Sequence, residues 1–430
     1  MRLHKTFNIK IGGVSTIEII IAFSILLITF SGWIVLYFRL ELATSKAESD
    51  SKMMSLSNSI LERARSASKI DFDSIISSST LSVTDVDELT KDLNVSNFYV
   101  RLFDWKHAQE SKTCEFNGNW LNTNIIKGID LGSSTVATDI AAIGNYVYIT
   151  ADSSTASKAD FFIIDISNID HPSIISQIDT GPGLVGVKIS KGLAYVGNSS
   201  VNSQLQIIDI SNPYSPYVIT VFKLPGIYSD GSTISNSIYY SKNKIYLGTK
   251  KSQIAEFHII DVSNVYAPIE LGIWEANTTI NAIWVRGNLV YIATPDNEEL
   301  KVIDIHDSQH IFRLGGYDAI GNSGSGNSLY FVGTTTYLGR TQGNDELYTL
   351  DTSSTTISKI NSKKIGSTIN DIISDGKTTF LATSDTTKEL QILSIANFDL
   401  PAKAVALDCK NNILFVALDS SDALRIITPL

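Results

Sequence analysis

Few side chains in this chain have the type and spacing for chemistry. Glu18 is the only charge between Val14 and Phe38, five residues beyond the pair Gly12-Gly13. A charged carboxylate in lipid costs at least ~2.5 kcal/mol, so Glu18 calls for a partner. A second group lies far downstream, where Asp139 and Asp371, with Asn236, Asn281 and Asn370, recur at one place in a repeated segment. Their oxygens could hold a cation or sugar hydroxyls; crowding of small residues would explain the same positions without a ligand. His306 and His310 have a ligand-like spacing but follow a strand into a turn, where that spacing loses its meaning. "GNSGSGNS" from Gly321 lacks the Lys-Ser/Thr of a phosphate loop and reads as a turn. The recurring Asp165, Asp209, Asp261 and Asp304 end strands and are expected to bond to turn backbone. No elbow serine, Cys-His pair or acidic calcium loop is present, so no enzyme, cofactor or metal is expected.

Composition narrows the class. The 430 residues are 43% hydrophobic and 18% charged, ample for folded domains. Net charge is -10, and the one basic cluster is Arg2, Lys5 and Lys10, so nucleic acid is excluded as a partner. Cys114 and Cys409 are too few for a disulfide scaffold and have no metal-ligand spacing.

The elements that must position Glu18 come first. The run 14–38 is long enough to cross the ~30 Å hydrocarbon core as a helix. The basic leader stays on the cytoplasmic side, which sends the chain beyond Phe38 outward. A secretory signal has its small residues beyond the apolar core; here Gly12-Gly13 precede it. This arrangement resembles the type IV prepilin signal. The resemblance implies cleavage after Gly13 by a prepilin peptidase, N-methylation of Val14, and Glu18 as the fifth mature residue. In that family the glutamate pairs with the freed amino terminus of a neighbouring subunit during assembly. Val35 stands where many members have a kinking proline, which favours a minor over a major subunit. The alternative is a plain signal anchor with its glutamate near the cytoplasmic edge. Residues 39–69 continue as helix, with Ala43, Ala47, Met54, Leu61 and Ala64 in one stripe. The whole helix is then roughly 80 Å long at 1.5 Å per residue. The stripe suits packing on the next domain or in a filament equally. Residues 70–124 read as a Ser-rich neck with a short helix at "TDVDELTKDL" and a strand at "NFYVRLF".

The region 125–430 is a repeat. One element recurs around Tyr148, Tyr195, Tyr246, Tyr291, Tyr330, Phe380 and Phe415. A second follows each as "FIIDISN", "QIIDISNP", "HIIDVSN", "KVIDIHD", "YTLDTSS", "QILSIAN" and "RIITPL". Seven copies of this size suit four-stranded propeller blades. The wording "LQIIDISNPYSP" resembles the LVIVD repeat family, which implies a β-propeller at a cell surface. Copies five to seven drift, with Ser394 and Thr428 replacing the Asp in the last two. The last copy lacks a fourth strand and "IIKGID" at 125–130 offers one, so the two ends are expected to share a blade. Cys114 and Cys409 then fall near one another, as a disulfide pinning the closure or as two buried thiols.

The expectation is a mainly β chain: a roughly seven-bladed propeller at 125–430 on a long N-terminal pilin-type helix, with leader 1–13, membrane helix 14–38, stalk 39–69 and neck 70–124. Its expected partners are prepilin peptidase, other pilin subunits, the membrane and a surface protein or glycan. Its expected place is the cytoplasmic membrane as a single pass, exported C-terminally, then the surface or pilus. Two alternatives remain: a surface scaffold or receptor that never polymerises, and an exported enzyme using the axial channel.

Overall fold

The structure is a computed structural model, and it describes residues 114–430 apart from 134, 154–157, 226–233, 320–323 and 355. The leader, the apolar run, the stalk and residues 70–113 of the neck lie outside the described residues, and with them Gly13, Val14 and Glu18. Among the described residues no helix is long and apolar enough to cross a membrane.

Seven antiparallel sheets of four strands each form a seven-bladed β-propeller. The inner strands of blades 1 to 7 are Thr135–Ile143, Leu184–Ser190, Ser235–Ser241, Ala282–Arg286, Gly326–Val332, Ile369–Ser374 and Ala404–Lys410. Six blades run in chain order from inner to outer strand. The seventh takes its outer strand, Thr123–Lys127, from the N-terminal side and pairs it with Leu424–Pro429 from Thr123↔Pro429 to Lys127↔Arg425. The strand expected from "IIKGID" therefore exists, begun two residues earlier.

Middle strands are apolar along their length because both faces are covered. Ser203–Asp209 and Thr379–Thr383 are buried at every residue. The apolar side chains gather in seven clusters, which follow the blade–blade interfaces. Inner and second strands join through tight turns. Lys191-Gly192 and Lys242-Asn243 both hold positive φ, the type I′ geometry whose twist suits a hairpin.

The "IDISNP" wording has a definite structural use. Asp165, Asp209 and Asp261 each accept the N–H and hydroxyl of the serine two residues on, at 2.5–2.9 Å. Asp304 and Asp351 likewise accept the N–H two residues on, from His306 and Ser353. Asn168, Asn212 and Asn264 then accept from the backbone two residues further, so two side-chain-closed turns follow each other. The double turn docks on the outer strand of the preceding blade: Ser176 Oγ donates to Pro213 O at 2.6 Å, and Thr220 Oγ1 to Val265 O at 2.7 Å. At the equivalent place Gly272 lies so close to Ser308 that a Cβ would fall 1.8 Å from its carbonyl oxygen. Glycine is required there for backbone approach rather than for φ.

Two features depart from the sequence reading. Residues 114–122, assigned to the neck, are part of the ring: Asn117 N–H donates to Asn412 Oδ1 at 2.9 Å, and Asn412 Nδ2 returns a bond to Asn117 O at 2.7 Å. Phe116 and Trp120 are buried against Phe380, with centroids 4.5 and 4.8 Å away. Tyr330 is also not the blade 5 equivalent of Tyr148. Its segment is the inner strand, and Tyr337 of Thr335–Arg340 takes the second-strand place, opposite Tyr330 in register. Two aromatics seven residues apart, each in an apolar strand, make the two segments look alike.

Blades 4 and 5 share a buried ion pair. Arg340 Nη2 lies 2.5 Å from Glu299 Oε1, both essentially inaccessible, and Arg340 Nη1 donates to Asp345 O at 3.1 Å. Removing one partner of such a pair strands the other charge. Arg340→Met is expected to lower unfolding stability by about 3–5 kcal/mol in urea titration, and Arg340→Met with Glu299→Gln to recover most of that loss. Equal stability for Arg340→Met and the native chain would show the pair to be irrelevant.

Candidate functional site at the ring axis

The residues singled out along the inner strands do come together, and most are engaged between blades. Each inner strand except that of blade 4 has a register shift, at Thr138, Val185, Asn236, Asn327, Asn370 and Val405. A bulge turns its side chain away from the regular alternation. At Thr138, Asn236, Asn327 and Asn370 the side chain reaches the next blade, as does that of Asn281 just ahead of the unbulged strand of blade 4. Asn236 Nδ2 donates to Ile280 O at 2.9 Å, Asn281 Nδ2 to Gly326 O at 2.7 Å, Asn327 Nδ2 to Ile369 O at 2.9 Å and Asn370 Nδ2 to Ala404 O at 2.8 Å. Thr138 Oγ1 makes the same link to Leu184 O at 2.7 Å. The amides of Asn236, Asn281 and Asn370 thus act as clasps between blades. Asn327 is a fourth member, within the "GNSGSGNS" stretch read as a turn; Gly326–Val332 is strand because Asn327 and the apolar residues after it fit the same pattern.

The carboxylates clasp as well. Asp139 accepts Ile140 N–H at Oδ1 and, across to blade 2, Val187 N–H at Oδ2, both at 2.9 Å. Asp371 accepts Ile372 N–H and, across to blade 7, Leu407 N–H, both at 2.8 Å. Asp408, two residues further along its strand and not foreseen, accepts Cys409 N–H at 2.8 Å and Ala142 N–H of blade 1 at 2.7 Å. An inner strand has no neighbour on its axial edge, and these acids satisfy N–H groups that would otherwise lack a partner.

Lys188 lies among the three acids, its Nζ 3.4 Å from Asp139 Oδ2. Burial disfavours its charge, yet Asp139, Asp371 and Asp408 together hold its pKa above the ordinary lysine value. Burial pushes Asp371 up to about 7 against the two N–H donors, and the nearby Asp139 adds to the rise. Aromatic rings lie nearby: Trp284 contacts Tyr239 at 5.5 Å and Tyr330 at 5.3 Å between centroids. Burial raises the Tyr330 hydroxyl to about 12, with Asp408 and Asp371 contributing. The lysine, three acids and three half-buried rings thus lie in one neighbourhood near the axis.

A second set of acids escaped the sequence reading. At the start of each third strand stand Asp160, Gln204, Glu256, Glu299, Glu346, Glu389 and Ala423 in turn, each just before the strand except Gln204, its second residue in blade 2, and all but Ala423 reach backbone N–H groups of the link to the next blade. Glu256 Oε2, for example, accepts Ala276 and Asn277 N–H, both at 3.0 Å. The signal was an acid or glutamine followed by a large apolar residue, repeated with the blades. Burial raises Asp160 to about 6 and Glu256 to about 7, and Glu275 beside Glu256 adds to the latter.

Cys114 and Cys409 are brought together as a disulfide pair with Cα atoms 5.5 Å apart, inside the span of a bridge. His306 and His310 each bond a turn carboxylate, Asp304 at 3.2 Å and Asp307 at 2.7 Å, and both are exposed. Among the described residues no group of three His, Cys, Asp or Glu is placed to hold a metal.

The fold and its turns define a seven-bladed propeller built from repeats, and family comparison identifies them. The chain carries LVIVD repeats: that family matches residues 135–180, 185–222 and 280–318, which correspond to blades 1, 2 and 4. No curated protein matches the chain. Among solved structures it is similar to virginiamycin B lyase from Staphylococcus aureus, at 14% identity and TM-score 0.54, over 72% of this chain and 99% of that one. It is also similar to a chain of the mitotic checkpoint complex, at 14% identity and TM-score 0.52, over 77% and 99%. A computationally designed protein matches at 13% identity and TM-score 0.50, over 70% and 98%. At such identities the likeness is one of fold alone.

The buried acids set a direction for pH dependence. Asp160, Glu256 and Asp371 have folded values near 6–7, above the ordinary 3.8–4.5. Between those limits the folded chain binds more protons than the unfolded one, so their contribution is full at low pH and lost as pH rises toward 7. The turn acids Asp261 and Asp385, held low by their serine and threonine partners, act oppositely and lose their contribution only in strong acid. Tm is therefore expected to be higher at pH 5 than at pH 8. Glu256→Gln keeps an oxygen for Ala276 and Asn277, as Gln204 does for Leu224 in blade 2; it should raise Tm at pH 8 and narrow the difference. A Tm that rises from pH 5 to pH 8 would refute this account.

Proposed function

We propose that this protein is a type IV pilin-like, minor subunit that carries its propeller outside the cell for adhesion or for binding protein or glycan. The observation behind this reading is the N-terminal pattern: Gly12-Gly13 before an uninterrupted apolar run, with Glu18 fifth from Val14. In this scheme prepilin peptidase cuts after Gly13 and Val14 is methylated. Glu18 guides assembly by pairing with the freed amino terminus of a neighbouring subunit, which relieves its cost in lipid. Before assembly the chain crosses the cytoplasmic membrane once, with the propeller exported. A bridge between Cys114 and Cys409 suits that compartment.

A domain of some 300 residues on every subunit would crowd a thin filament, so occasional or tip placement fits best. Binding rather than catalysis is the role assigned to the propeller, since the axial acids and amides are engaged in clasps between blades. Ligand contact then falls to loops on one face of the ring.

The N-terminal mass of membrane-extracted protein, from cells with and without prepilin peptidase, tests the proposal. A chain beginning at methylated Val14 only when the peptidase is present is the expected result. An intact leader in both would leave a propeller on a plain membrane anchor and overturn the filament role.

A further inference from the structure

In a complete blade the chain runs from third to fourth strand through the double turn. In blade 7 the third strand ends at Pro429, and its neighbour Thr123–Lys127 arrives from upstream. Leu430 N–H donates to Asn122 O at 2.9 Å, so the missing turn is spanned by a hydrogen bond. The N-terminal residues 114–122 then cross the hairpin turns of two blades. Cys114 bridges Asn411, Glu115 N–H donates to Asn411 O at 3.3 Å, and Asn117 and Asn412 exchange two bonds, all in blade 7. Phe116 N–H donates to Asp375 Oδ2 of blade 6 at 3.1 Å. Residues 114–122 are thus a strap fixed to both blades ahead of the outer strand.

Load on a tethered domain arrives through the chain upstream of the strap. Without a covalent anchor it would reach the bonds of the strap and then Thr123–Lys127, an outer strand with a single neighbour, and peel it from Leu424–Pro429. That would open the ring at the one joint, among the described strands, whose partners are not consecutive in the chain. Cys114 stands at the head of the strap, and its partner Cys409 lies in the inner strand Ala404–Lys410, fully buried and paired on to the second strand. We infer that the Cys114–Cys409 bridge is a mechanical bypass, taking tension from the upstream chain directly to the inner strand of blade 7 and leaving the closing strand unloaded.

The bypass makes a quantitative claim. Residues 115–408 lie inside the covalent loop, so a pull between the N-terminus and Leu430 can extend only the short stretch after Cys409 and the chain before Cys114. At up to ~3.6 Å per residue the loop hides about 1,000 Å of extension, and the stretch after Cys409 yields only about 70 Å. The test is optical-tweezer extension of the full chain in detergent, with handles at its two ends. The native chain is expected to lack the ~1,000 Å release at forces below bond rupture. Cys409→Ser should show it, and so should the native chain after a dithiol reductant has taken up the bridge as its own disulfide and left two thiols. Thermal melts of the same samples separate bypass from global instability, since Cys409→Ser must still melt as a folded propeller. Release of the full length from the unreduced native chain, or no difference between it and a folded Cys409→Ser variant, would overturn the inference. Neither readout depends on pilin assembly, so failure of that proposal leaves this one standing.

Discussion

The structure depends on one constraint: each blade is apolar on both faces and can bury them only between two neighbours. Phe161 and Ile163 pack with blade 2, whereas Phe162 and Ile164 of the same strand pack with blade 7. Burying a side chain of this kind contributes about 1.5–3 kcal/mol, and an open ring would forfeit that at two faces together. Closure is thus a condition for every blade, which explains why the unique features of the chain gather at blade 7. The strap, the shared sheet and the cysteine pair all lie there.

Closure also concentrates polar backbone at the axis. Seven inner strands present their free edges to one narrow space, and each N–H there needs an acceptor. Asp139, Asp371 and Asp408 provide acceptors that join neighbouring blades, and the asparagines do the same for carbonyls with donors. The consequence is a surplus of negative charge around Lys188, relieved by the raised pKa of Asp371. The acids and amides that look like a ligand set in the sequence make bonds that join neighbouring blades. Small residues at Gly186, Ser237, Ala282 and Ala406 occupy the place of Asp139 and Asp371 in other blades, so steric crowding and the need for acceptors are answered position by position.

Blade number and closure were legible because they rest on local, repeated signals: an aromatic on the second strand and a β-branched run ending in Asp on the third. The use of those Asp residues was legible too, since a carboxylate closing a turn acts within two residues. The clasps were not. Asn236 and Asp139 are recognisable as a set, but whether an amide points to a ligand or to a neighbouring carbonyl depends on how the inner strands pair and abut, not on residue type. The acids before the third strands were missed for a related reason. Glu256 or Glu389 resembles any solvent-facing residue at a strand start, and only the return of the next linker over it causes its burial.

Where the repeat drifts, the structure shows what the lost residues did. Blade 6 has Ser394 in place of the turn aspartate, with φ of 66°, and its two outermost strands shrink to Leu390–Ile392 and Ala396–Phe398. Blade 7 has Thr428, and among the described residues its third and outer strands are not joined by a double turn. With the docking turn gone, the space beside blade 6 is filled by Phe116 and Trp120, which lie against Phe380 and join the same cluster as Leu390 and Phe398. Loss of the motif and entry of the upstream chain are thus the same event seen from two sides. A perfect seventh copy would occupy the site with its own turn and leave the incoming chain only its outer strand to hold.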